Sequence, residues 1–560
     1  MPRLTLLLLA CLLAACQRPT ETTRTETFDA SAGAGARRIE ADVRFLADDL
    51  LEGRDTATRG HDLAALYVAQ RLRAIGLAPA GDNGSYYQRV PLLRATRIAE
   101  GGRLVMTRHG ATTALRFRTQ FLPALNYHGA DMAVEAPAMF VGQGVHAPGL
   151  HHDDFSGVDL RGKIAVLLSG APAAFDIDRR AFHSSSREKL RELSERGAVG
   201  AVLINTDDEE TRTPWARHAA SWNKPGMRLR DADGTGIDTF PQLRVVAHVS
   251  AAAADAVLAS DGRSAAQLFQ AAKDGTLKPF ALPGTIALGA RTAIAPVASR
   301  NVVARLAGSD ATLAKEHVLF SAHLDHIGMV IGAPVEGDGP LQDRIFNGAL
   351  DNALGVAIML EAAHQLVSAP TRPKRSLLFV ALTAEEKGLL GAEWYVRRPT
   401  VPRGSLVANV NMDMPMLLTP TDDVVPVGLG HSSLQPLVQQ AARDVGVALS
   451  PDPFPEQAIF VRSDQYAFIR AGIPAVYLMA GIKASAVGDD APVAMRGFLR
   501  DHYHQPGDDV SQPIQYRDAA RLARLNARIG QRIGDAPQRP MWNAGDFFGE
   551  RFGGATVPPK

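Results

Sequence analysis

The spacing of apolar residues predicts two helices near the start of the chain. Apolar positions recur every three or four residues from Ile39 to Leu50 and again from Leu63 to Ile75. Residues at that spacing line one face of a helix, so each series can pack against a core. The second helix is expected to end at Gly76, because glycine commonly follows the last helical residue.

From position 301 the pattern changes to short apolar runs that alternate with amphipathic segments. Such alternation is typical of a mostly parallel sheet with helices on both faces. The predicted fold class is therefore α/β, with a mostly parallel mixed sheet flanked by helices. The predicted strands lie near 301–306, 317–322, 376–382, 406–411 and 474–479, and the predicted helices lie near 355–368, 387–397 and 434–446.

The segment between these two regions has a different character. Residues 162–166 read GKIAV, a helical stretch follows near 186–196, and residues 197–204 read GAVGAVLI. These stretches resemble those of a protease-associated domain, a small β-rich insert, and the resemblance covers residues 132–290. A generic α/β insertion without a function of its own is the alternative interpretation.

The first sixteen residues predict export from the cytoplasm. Arg3 precedes an apolar stretch of about twelve residues, whereas a membrane-spanning helix needs roughly twenty. The stretch ends Leu-Ala-Ala-Cys and resembles a bacterial lipobox, which implies a lipid attached at Cys16. Because Gln17 is not aspartate, the resemblance implies the periplasmic face of the outer membrane of a Gram-negative bacterium. An ordinary signal cleaved elsewhere would keep the export and lose the anchor.

Composition narrows the chemistry that this chain can perform. The 560 residues include 60 Lys and Arg against 59 Asp and Glu, so a nucleic-acid partner is disfavoured. Membrane attachment is expected only through the N-terminal lipid. The two cysteines are Cys11 and Cys16, which excludes thiolate catalysis and sulfur ligands from the rest of the chain. Any reactive site must therefore use oxygen and nitrogen atoms.

Polar residues follow the apolar runs at the places where an α/β sheet binds ligands. Three runs end beside charged groups, and a glycine-preceded loop and a later loop add two more. Each group alone can be explained as a helix cap, a turn residue or a surface ion pair. Their convergence on one sheet edge predicts a metal site. The five candidate ligands are His323, Asp351, Glu386, Asp413 and His504.

Two imidazoles and three carboxylates suit zinc or another divalent first-row metal. Five side chains can hold two metals if one carboxylate is shared between them. Two such metals can share a water molecule, lower its pKa and polarise a carbonyl group. This combination promotes the hydrolysis of an amide at neutral pH.

The motifs around these residues resemble those of the co-catalytic zinc exopeptidases that include bacterial secreted aminopeptidases and glutamate carboxypeptidases, peptidase family M28. The motifs occur in the family's order across about 300–510, and the helical start also resembles the family's N-terminal region. The stretches that match are His323-x-Asp325, Asn347-Gly348-Ala349-x-Asp351-Asn352, Glu385-Glu386-x-Gly388-Leu389-x-Gly391, Asn411-x-Asp413-Met414 and Tyr503-His504.

The resemblance implies two zinc ions and a role for each matched residue. Asp351 would bridge the ions, His323 and Asp413 would complete one site, and Glu386 and His504 would complete the other. The family's Tyr-His pair selects His504 over its rival His502. Histidines that match no motif are expected to be structural or exposed, among them His151, His152, His326, His364 and His431.

Three further residues receive catalytic roles from the same resemblance. Asp325 would orient the His323 imidazole through its carboxylate. Glu385 would be the general base that takes a proton from the water and passes it to the leaving amine. Tyr503 would stabilise the oxyanion, with an ordinary aromatic neighbour of a ligand as the alternative.

The predicted function is that of a zinc exopeptidase acting on peptides, with an aminopeptidase as the leading interpretation. A carboxypeptidase, a glutaminyl-cyclase-like enzyme and a receptor-like binding protein on the same fold are the alternatives. The predicted order of parts is a signal peptide at 1–15, a tether at 16–37, a metallopeptidase domain at 38–131 and 291–540, the insert at 132–290 and a tail at 541–560.

Overall fold

The computed structural model describes residues 33–260, 262–329, 343–486 and 490–553. The predicted signal peptide, Cys16 and most of the tether lie outside these ranges, so the lipid anchor stays a prediction. Within the described ranges, every helix is either too short or too polar to cross a bilayer.

The strands of the described residues are numbered in chain order. They are β1 (Ala78–Pro79), β2 (Tyr87–Arg108), β3 (Ala111–Ala114), β4 (Phe121–Pro123), β5 (Asp131–Phe140), β6 (His146–Ala147), β7 (His152–Asp153), β8 (Ile164–Leu168), β9 (Gly200–Ile204), β10 (Gly226–Leu229), β11 (Val245–Val249), β12 (Phe280–Leu306), β13 (His317–His323), β14 (Gly328–Met329), β15 (Ile345–Phe346), β16 (Ser376–Leu382), β17 (Leu406–Asn411), β18 (Asp423–Val427), β19 (Ala448–Leu449) and β20 (Ala475–Ala480).

The helices are numbered in the same way. They are α1 (Ala34–Leu46), α2 (Arg59–Ile75), α3 (Ile177–Ser184), α4 (Ser186–Glu195), α5 (Asp207–Arg212), α6 (Trp215–Ala220), α7 (Ala254–Leu258), α8 (Ala265–Lys273), α9 (Leu354–Val367), α10 (Leu390–Arg397), α11 (Leu434–Val445), α12 (Gln465–Arg470), α13 (Ala491–Asp501), α14 (Tyr516–Asp535) and α15 (Phe547–Phe552).

The predicted fold class is confirmed. One sheet runs through the molecule in the order β19-β18-β20-β17-β13-β16-β12-β5-β8-β9-β11-β4. Its strands β16, β13, β17 and β20 are parallel neighbours. In register, His323 lies opposite Leu382 and Ser321 lies opposite Asn411, so the carboxyl ends of these strands meet at one edge.

Helices cover both faces of the parallel strands. Helices α1, α2, α9 and α14 share one core with residues such as Phe320 and Phe379, whose rings stack at 4.9 Å. Helices α10 and α12 share a second core on the opposite face, which includes Tyr395 and Phe468. The second early helix ends at the predicted position, where Gly76 adopts a left-handed conformation with a φ angle of 97° after α2. The first ends at Leu46, four residues before the last position of its apolar series.

The middle of the chain builds its own parallel group within the same sheet. Strands β5, β8, β9 and β11 are parallel neighbours with separate cores on their two faces. The long strand β12 pairs with β5 over Phe280–Arg291 and with β16 over Val302–Leu306, so it passes through position 290 without a break. The domain boundaries given by the sequence remain predictions; below, the insert denotes residues 132–290 and the main domain denotes residues 38–131 and 291–540.

The end of the chain packs onto both parts of the molecule. Trp542 and Phe548 are fully buried in the core of the main domain. In the same helix, α15, the ring centroids of Phe547 and Phe552 lie 5.6 and 6.1 Å from that of Phe182 in α3. The C-terminal segment therefore joins the insert to the main domain.

Charged groups join the two parts at a second place. Glu393 of α10 is mostly buried and pairs with Arg187 of α4 and, at 2.9 Å, with Arg470 of α12. Asp238 pairs with Arg187 and, at 2.7 Å, with Arg397. The insert is thus fixed against α10, which follows directly on the loop that contains Glu385 and Glu386.

Candidate metal centre

The first group of candidate ligands lies at the ends of β13 and β17. The Nε2 atom of His323 is 3.1 Å from Oδ1 of Asp413 and 3.1 Å from Oδ1 of Asp351. The side chains of His323 and Asp351 are almost completely buried. One nitrogen and two oxygen atoms therefore converge within 4.8 Å of one another.

The second group uses the other oxygen of Asp351. Nε2 of His504 is 3.2 Å from Oδ2 of Asp351 and 3.3 Å from Oε2 of Glu386. Glu386 follows the end of β16, and His504 lies in the loop after α13. The Asp351 carboxylate thus directs Oδ1 towards one group and Oδ2 towards the other, and all five predicted ligands lie together.

His326 is an unexpected member of the second group. Its Nδ1 atom lies 2.8 Å from Oε1 of Glu386 and 3.8 Å from Oδ2 of Asp351. Among the described residues, His326, Asp351 and Glu386 form one of the two groups with metal-binding geometry. The sequence pattern had set His326 aside with the unmatched histidines. Its place directly after Asp325, in a loop that follows a strand end, was the available signal.

Asp508 fixes the loop that presents Asp351. Its carboxylate accepts hydrogen bonds from the backbone N–H groups of Leu350, at 2.8 Å, and Asp351, at 3.0 Å. The loop begins at Gly348, whose φ angle of 62° is favourable for glycine, and the Asp351–Asn352 peptide bond is cis. The Asn352 side chain donates to the carbonyl of Met412 at 2.9 Å. Two ligand-bearing loops are therefore connected.

Arg54 connects two more loops and was missed by the sequence reasoning. Its buried guanidinium donates to the carbonyls of Leu324 at 2.9 Å, Gly348 at 3.0 Å, Asn347 and Leu46. Burial lowers the pKa of Arg54 to about 10, while attraction to carboxylates including Asp508 and Asp351 opposes the shift. The His323 loop and the Asp351 loop thus share one cationic anchor.

Asp325 holds the backbone of the loop that contains Glu385. Its Oδ1 accepts from the Glu385 N–H at 3.0 Å and its Oδ2 accepts from the Thr56 hydroxyl at 2.9 Å. Nδ1 of His323 instead lies 3.0 Å from the backbone carbonyl of Asp325. The predicted orienting contact is therefore made by the carbonyl of Asp325 and not by its carboxylate. The carboxylate positions Glu385.

The Glu385 side chain differs from its neighbour Glu386 in its contacts. Within the described ranges, the structure gives the Glu385 carboxylate no hydrogen-bond donor. Burial raises its pKa well above the usual range; attraction to His323 opposes the shift, and the charges of Glu386 and Asp413 add to it. Burial and Asp351 also act to raise the pKa of Glu386, but the contacts with His326 and His504 hold it at about 2.

Tyr503 lies against the second group. Its ring stacks on the His504 imidazole with a centroid distance of 3.9 Å. Burial, followed by the charges of Asp351 and Glu386, raises the pKa of the Tyr503 hydroxyl well above its usual value. His502 lies instead beside Phe498, at a centroid distance of 6.0 Å. The geometry therefore distinguishes His504 from its sequence neighbour.

Several buried polar atoms in this region make no aligned hydrogen bond within the described residues. Both nitrogens of His326 and Oε1 of Glu386 make no aligned hydrogen bond in the described part of the chain. The same is true of both oxygens of Asp464, a buried carboxylate whose charge acts on His323. Unpaired buried groups are costly, and a divalent ion would satisfy the imidazole and carboxylate atoms of both groups. The donor set therefore fits a first-row metal.

The insert contributes a lysine to the rim of this centre. The Lys224 ammonium lies 5.9 Å from the centroid of the Phe346 ring, next to the Asp351 loop. Burial and the Lys387 charge lower the pKa of Lys224, while Glu386 and Asp55 oppose the shift. Lys387 is paired with Asp55 at 2.6 Å, whereas the described residues give Lys224 no carboxylate partner.

Comparison with known proteins agrees with this geometry. Residues 301–529 match the sequence model of Peptidase family M28 and contain every candidate ligand. This segment belongs to peptidase family M28. The aminopeptidase from Aneurinibacillus sp. strain AM-1 has a similar fold, with a TM-score of 0.50 and 18% identity, over 88% of this chain and 92% of that one.

Two curated relatives match shorter stretches of the chain. A probable zinc metalloprotease of Pyrenophora teres f. teres is 35% identical over 123 residues, which are 22% of this chain and 23% of the relative. The alkaline phosphatase isozyme conversion protein of Escherichia coli K12 is 34% identical over 102 residues, 18% of this chain and 28% of the relative. The chain thus spans only about a quarter of the length of these relatives.

Proposed function

We propose that the protein is a zinc-dependent exopeptidase of family M28 that removes residues from the amino terminus of peptides. The observation that carries this proposal is the position of Asp351, whose two carboxylate oxygens face two separate ligand groups. His323 and Asp413 would complete one zinc site, and Glu386 and His504 would complete the other. When bound, two zinc ions supply positive charge that polarises a substrate carbonyl, acidifies a water molecule and favours the ionised form of Glu385.

Glu385 is the proposed general base. Its carboxylate has no competing hydrogen-bond donor among the described residues, and its backbone N–H is held by Asp325 at 3.0 Å. A base in this position takes a proton from the attacking water and delivers it to the nitrogen of the departing amine. The adjacent Glu386 cannot take this role, because its carboxylate is engaged with His326 and His504.

Tyr503 is the proposed donor to the carbonyl oxygen that becomes negative. Its pKa is raised by burial and by nearby carboxylates, so the hydroxyl stays protonated at neutral pH. A protonated hydroxyl can donate a hydrogen bond to the developing oxyanion. Stacking on His504 holds the phenol ring beside the second ligand group.

The amino-terminal polarity is supported by the fold shared with the Aneurinibacillus aminopeptidase. A second candidate, a carboxypeptidase, is favoured by one observation. Lys224 of the insert lies at the rim of the centre. Among the described residues, its ammonium has no carboxylate partner. A substrate carboxylate is the group that such a cation would attract.

A panel of one tetrapeptide in three forms separates these candidates. The forms are free, N-acetylated and C-amidated, and each is tested on chelator-treated protein and on protein restored with zinc. We expect the restored protein to release the first residue from the free and amidated peptides and to leave the acetylated peptide intact. Release of the last residue from the acetylated peptide would establish the carboxypeptidase. No cleavage of any form would contradict an exopeptidase.

Export and lipid attachment at Cys16 form a separate proposal, supported by the sequence pattern alone. Labelled palmitate supplied to a bacterium that expresses the full chain should enter the wild-type protein and not Cys16→Ser. Equal labelling of both would contradict attachment at Cys16.

A further inference from the structure

His326 occupies a position that fixes its ring against the Asp351 loop. The residue is completely buried, and a side chain on Gly348 would place its Cβ 2.6 Å from Cδ2 of His326. The imidazole therefore lies directly on the glycine that begins this loop. A T-shaped contact with His504, at a centroid distance of 5.7 Å, restricts it from another side.

The ring nitrogens of His326 have no ordinary structural role. Nδ1 is 2.8 Å from Oε1 of Glu386, yet the two atoms are not aligned as a hydrogen bond. Nε2 also lacks a partner among the described residues. A buried histidine kept only for packing is normally hydrogen-bonded, since an unsatisfied polar atom costs about 1–3 kcal/mol.

The separations between the polar atoms fit a four-ligand site. Side chains bound tetrahedrally to zinc at about 2.0–2.2 Å place their ligand atoms about 3.3–3.6 Å apart. Here His504 Nε2 lies 3.2 and 3.3 Å from the oxygens of Asp351 and Glu386. His326 Nδ1 lies 2.8 and 3.8 Å from oxygens of the same two residues. The His504 distances lie at the lower end of that range and the His326 distances lie on either side of it, so both imidazoles face the carboxylates of Asp351 and Glu386.

We infer that His326 is a fourth ligand residue of the second metal site, with Nδ1 as its ligand atom. The inference rests on the proposed function, because it assumes that the two groups hold metal. It makes the groups unequal: the second would offer His326, His504, Asp351 and Glu386, whereas the first offers His323, Asp351 and Asp413 among the described residues. Sites closed by four protein ligands retain metal firmly, whereas three-ligand sites leave a position open.

The test measures zinc on the purified full-length protein. Zinc-loaded wild type and His326→Ala are dialysed against increasing chelator, and the metal per chain is determined by elemental analysis. We expect wild type to release one zinc well before the other. We expect His326→Ala to bind its second zinc at least about 100-fold more weakly, because losing even an outer partner of a ligand costs 10- to 100-fold.

His317→Ala is the matched control. His317 is also buried, and it lies in β13 at the end opposite to His323, where its Nδ1 is 3.1 Å from the Ser405 hydroxyl. This variant should release zinc as wild type does. Thermal melting in excess chelator should give similar curves for wild type and His326→Ala, and His326→Asn replaces the alanine variant if that one does not fold.

Cobalt absorption distinguishes a ligand from a residue that only orients Glu386. Cobalt-loaded His326→Ala should show altered visible bands, because the metal loses a nitrogen ligand. Weaker binding with unchanged bands would overturn the assignment, and so would equal loss of both ions or retention of both with wild-type affinity. Wild-type protein that binds no zinc would instead defeat the proposed function.

Discussion

The sheet presents two edges of the same kind, and only one of them collects reactive groups. In the insert, the parallel strands β8, β9 and β11 end beside Ser169, Asn205 and Ser250. In the main domain, the parallel strand β13 ends at His323, and the strands β16 and β17 end shortly before Glu385 and Asp413. Both edges are places where an α/β sheet can bind a ligand.

The insert closes its edge with donors that face acceptors. The backbone N–H groups of Ser169 and Asn205 donate to the ends of the neighbouring strands at 2.8 and 2.9 Å. The buried Lys189 ammonium donates to the carbonyl of Gln143 and, at 2.7 Å, to that of Gly170. The hydroxyls of Ser169 and Ser250 remain without a hydrogen bond among the described residues, but both are neutral groups.

At the corresponding edge of the main domain, the described side chains leave negative charge uncompensated. Asp351, Glu386 and Asp413 bring three carboxylates together, and atoms of His326 and Glu386 remain without aligned hydrogen bonds. The comparison shows that sheet topology determines where a ligand can bind, whereas charged side chains without compensating partners determine which ligand is bound. An edge needs an outside cation only where its own groups leave charge uncompensated.

Glu385→Gln should have the largest effect on activity. If the edge of the main domain is reactive, removing the proposed base should lower kcat by about 10²- to 10⁴-fold. Zinc content should stay at the wild-type level, because Glu385 belongs to neither ligand group. Peptide turnover measures the change in kcat, and elemental analysis measures the zinc content. Loss of zinc together with activity would show that Glu385 is a ligand, and Glu192→Gln on the insert helix α4 is the control.

Arg54→Met should have the largest effect on stability. The variant removes the guanidinium that donates to four buried carbonyls, and each lost hydrogen bond to a charged group costs about 1.5–3 kcal/mol, so the free energy of unfolding should fall by at least ~3 kcal/mol. Zinc binding should weaken as well, because the loops of His323 and Asp351 lose their common anchor. Urea unfolding and zinc titration measure both. Unchanged zinc affinity in a destabilised protein would contradict the positioning role.

Lys189 predicts a pH dependence for the insert edge. Burial lowers its pKa to about 7 from an ordinary 10.5, with attraction to Asp154 opposing the shift. Between these values the unfolded chain binds a proton that the folded chain lacks, so the free energy of unfolding rises with pH. The unfolding free energy of wild type relative to Lys189→Met should therefore increase from pH 7 to pH 10, by at most ~1.4 kcal/mol per pH unit.

Urea unfolding across this pH range provides the measurement. Lys163→Met is the control, because Lys163 is partly exposed and donates to a surface carbonyl. A difference between wild type and Lys189→Met that does not change with pH would contradict a lowered pKa in the folded state.

Ser250→Ala should have the smallest effect. The Ser250 hydroxyl is buried and makes no hydrogen bond within the described residues. Its removal should change the free energy of unfolding by less than ~1 kcal/mol and leave zinc content and turnover unchanged. A loss of zinc on this substitution would contradict the claim that the metal binds at the edge of the main domain and not at that of the insert.

The sequence predicted the parts of the fold whose pattern is local. The strands His317–His323 and Leu406–Asn411 and the helix Leu354–Val367 lie close to their predicted positions, since alternation and spacing specify them. The helix Tyr516–Asp535 was not predicted, although its apolar spacing is helical. The five candidate ligands were found because their motifs sit beside strand ends.

Residues that act across the chain could not be found in the same way. Arg54 binds carbonyls that are 270 to 294 positions away, and Asp508 binds N–H groups more than 150 positions away. No spacing in the sequence relates such partners. The role of Asp325 was also different in detail, because backbone geometry directs His323 to the carbonyl and leaves the carboxylate for Glu385.

Zinc content of wild type and Asp351→Asn tests the central claim most directly. The substitution keeps the size of the side chain and removes the negative charge that faces both ligand groups. Elemental analysis of protein dialysed against zinc and then against buffer should give two zinc ions per wild-type chain and loss from both groups in the variant. Two firmly held ions in Asp351→Asn, or fewer than two in wild type, would contradict a centre built on one shared carboxylate.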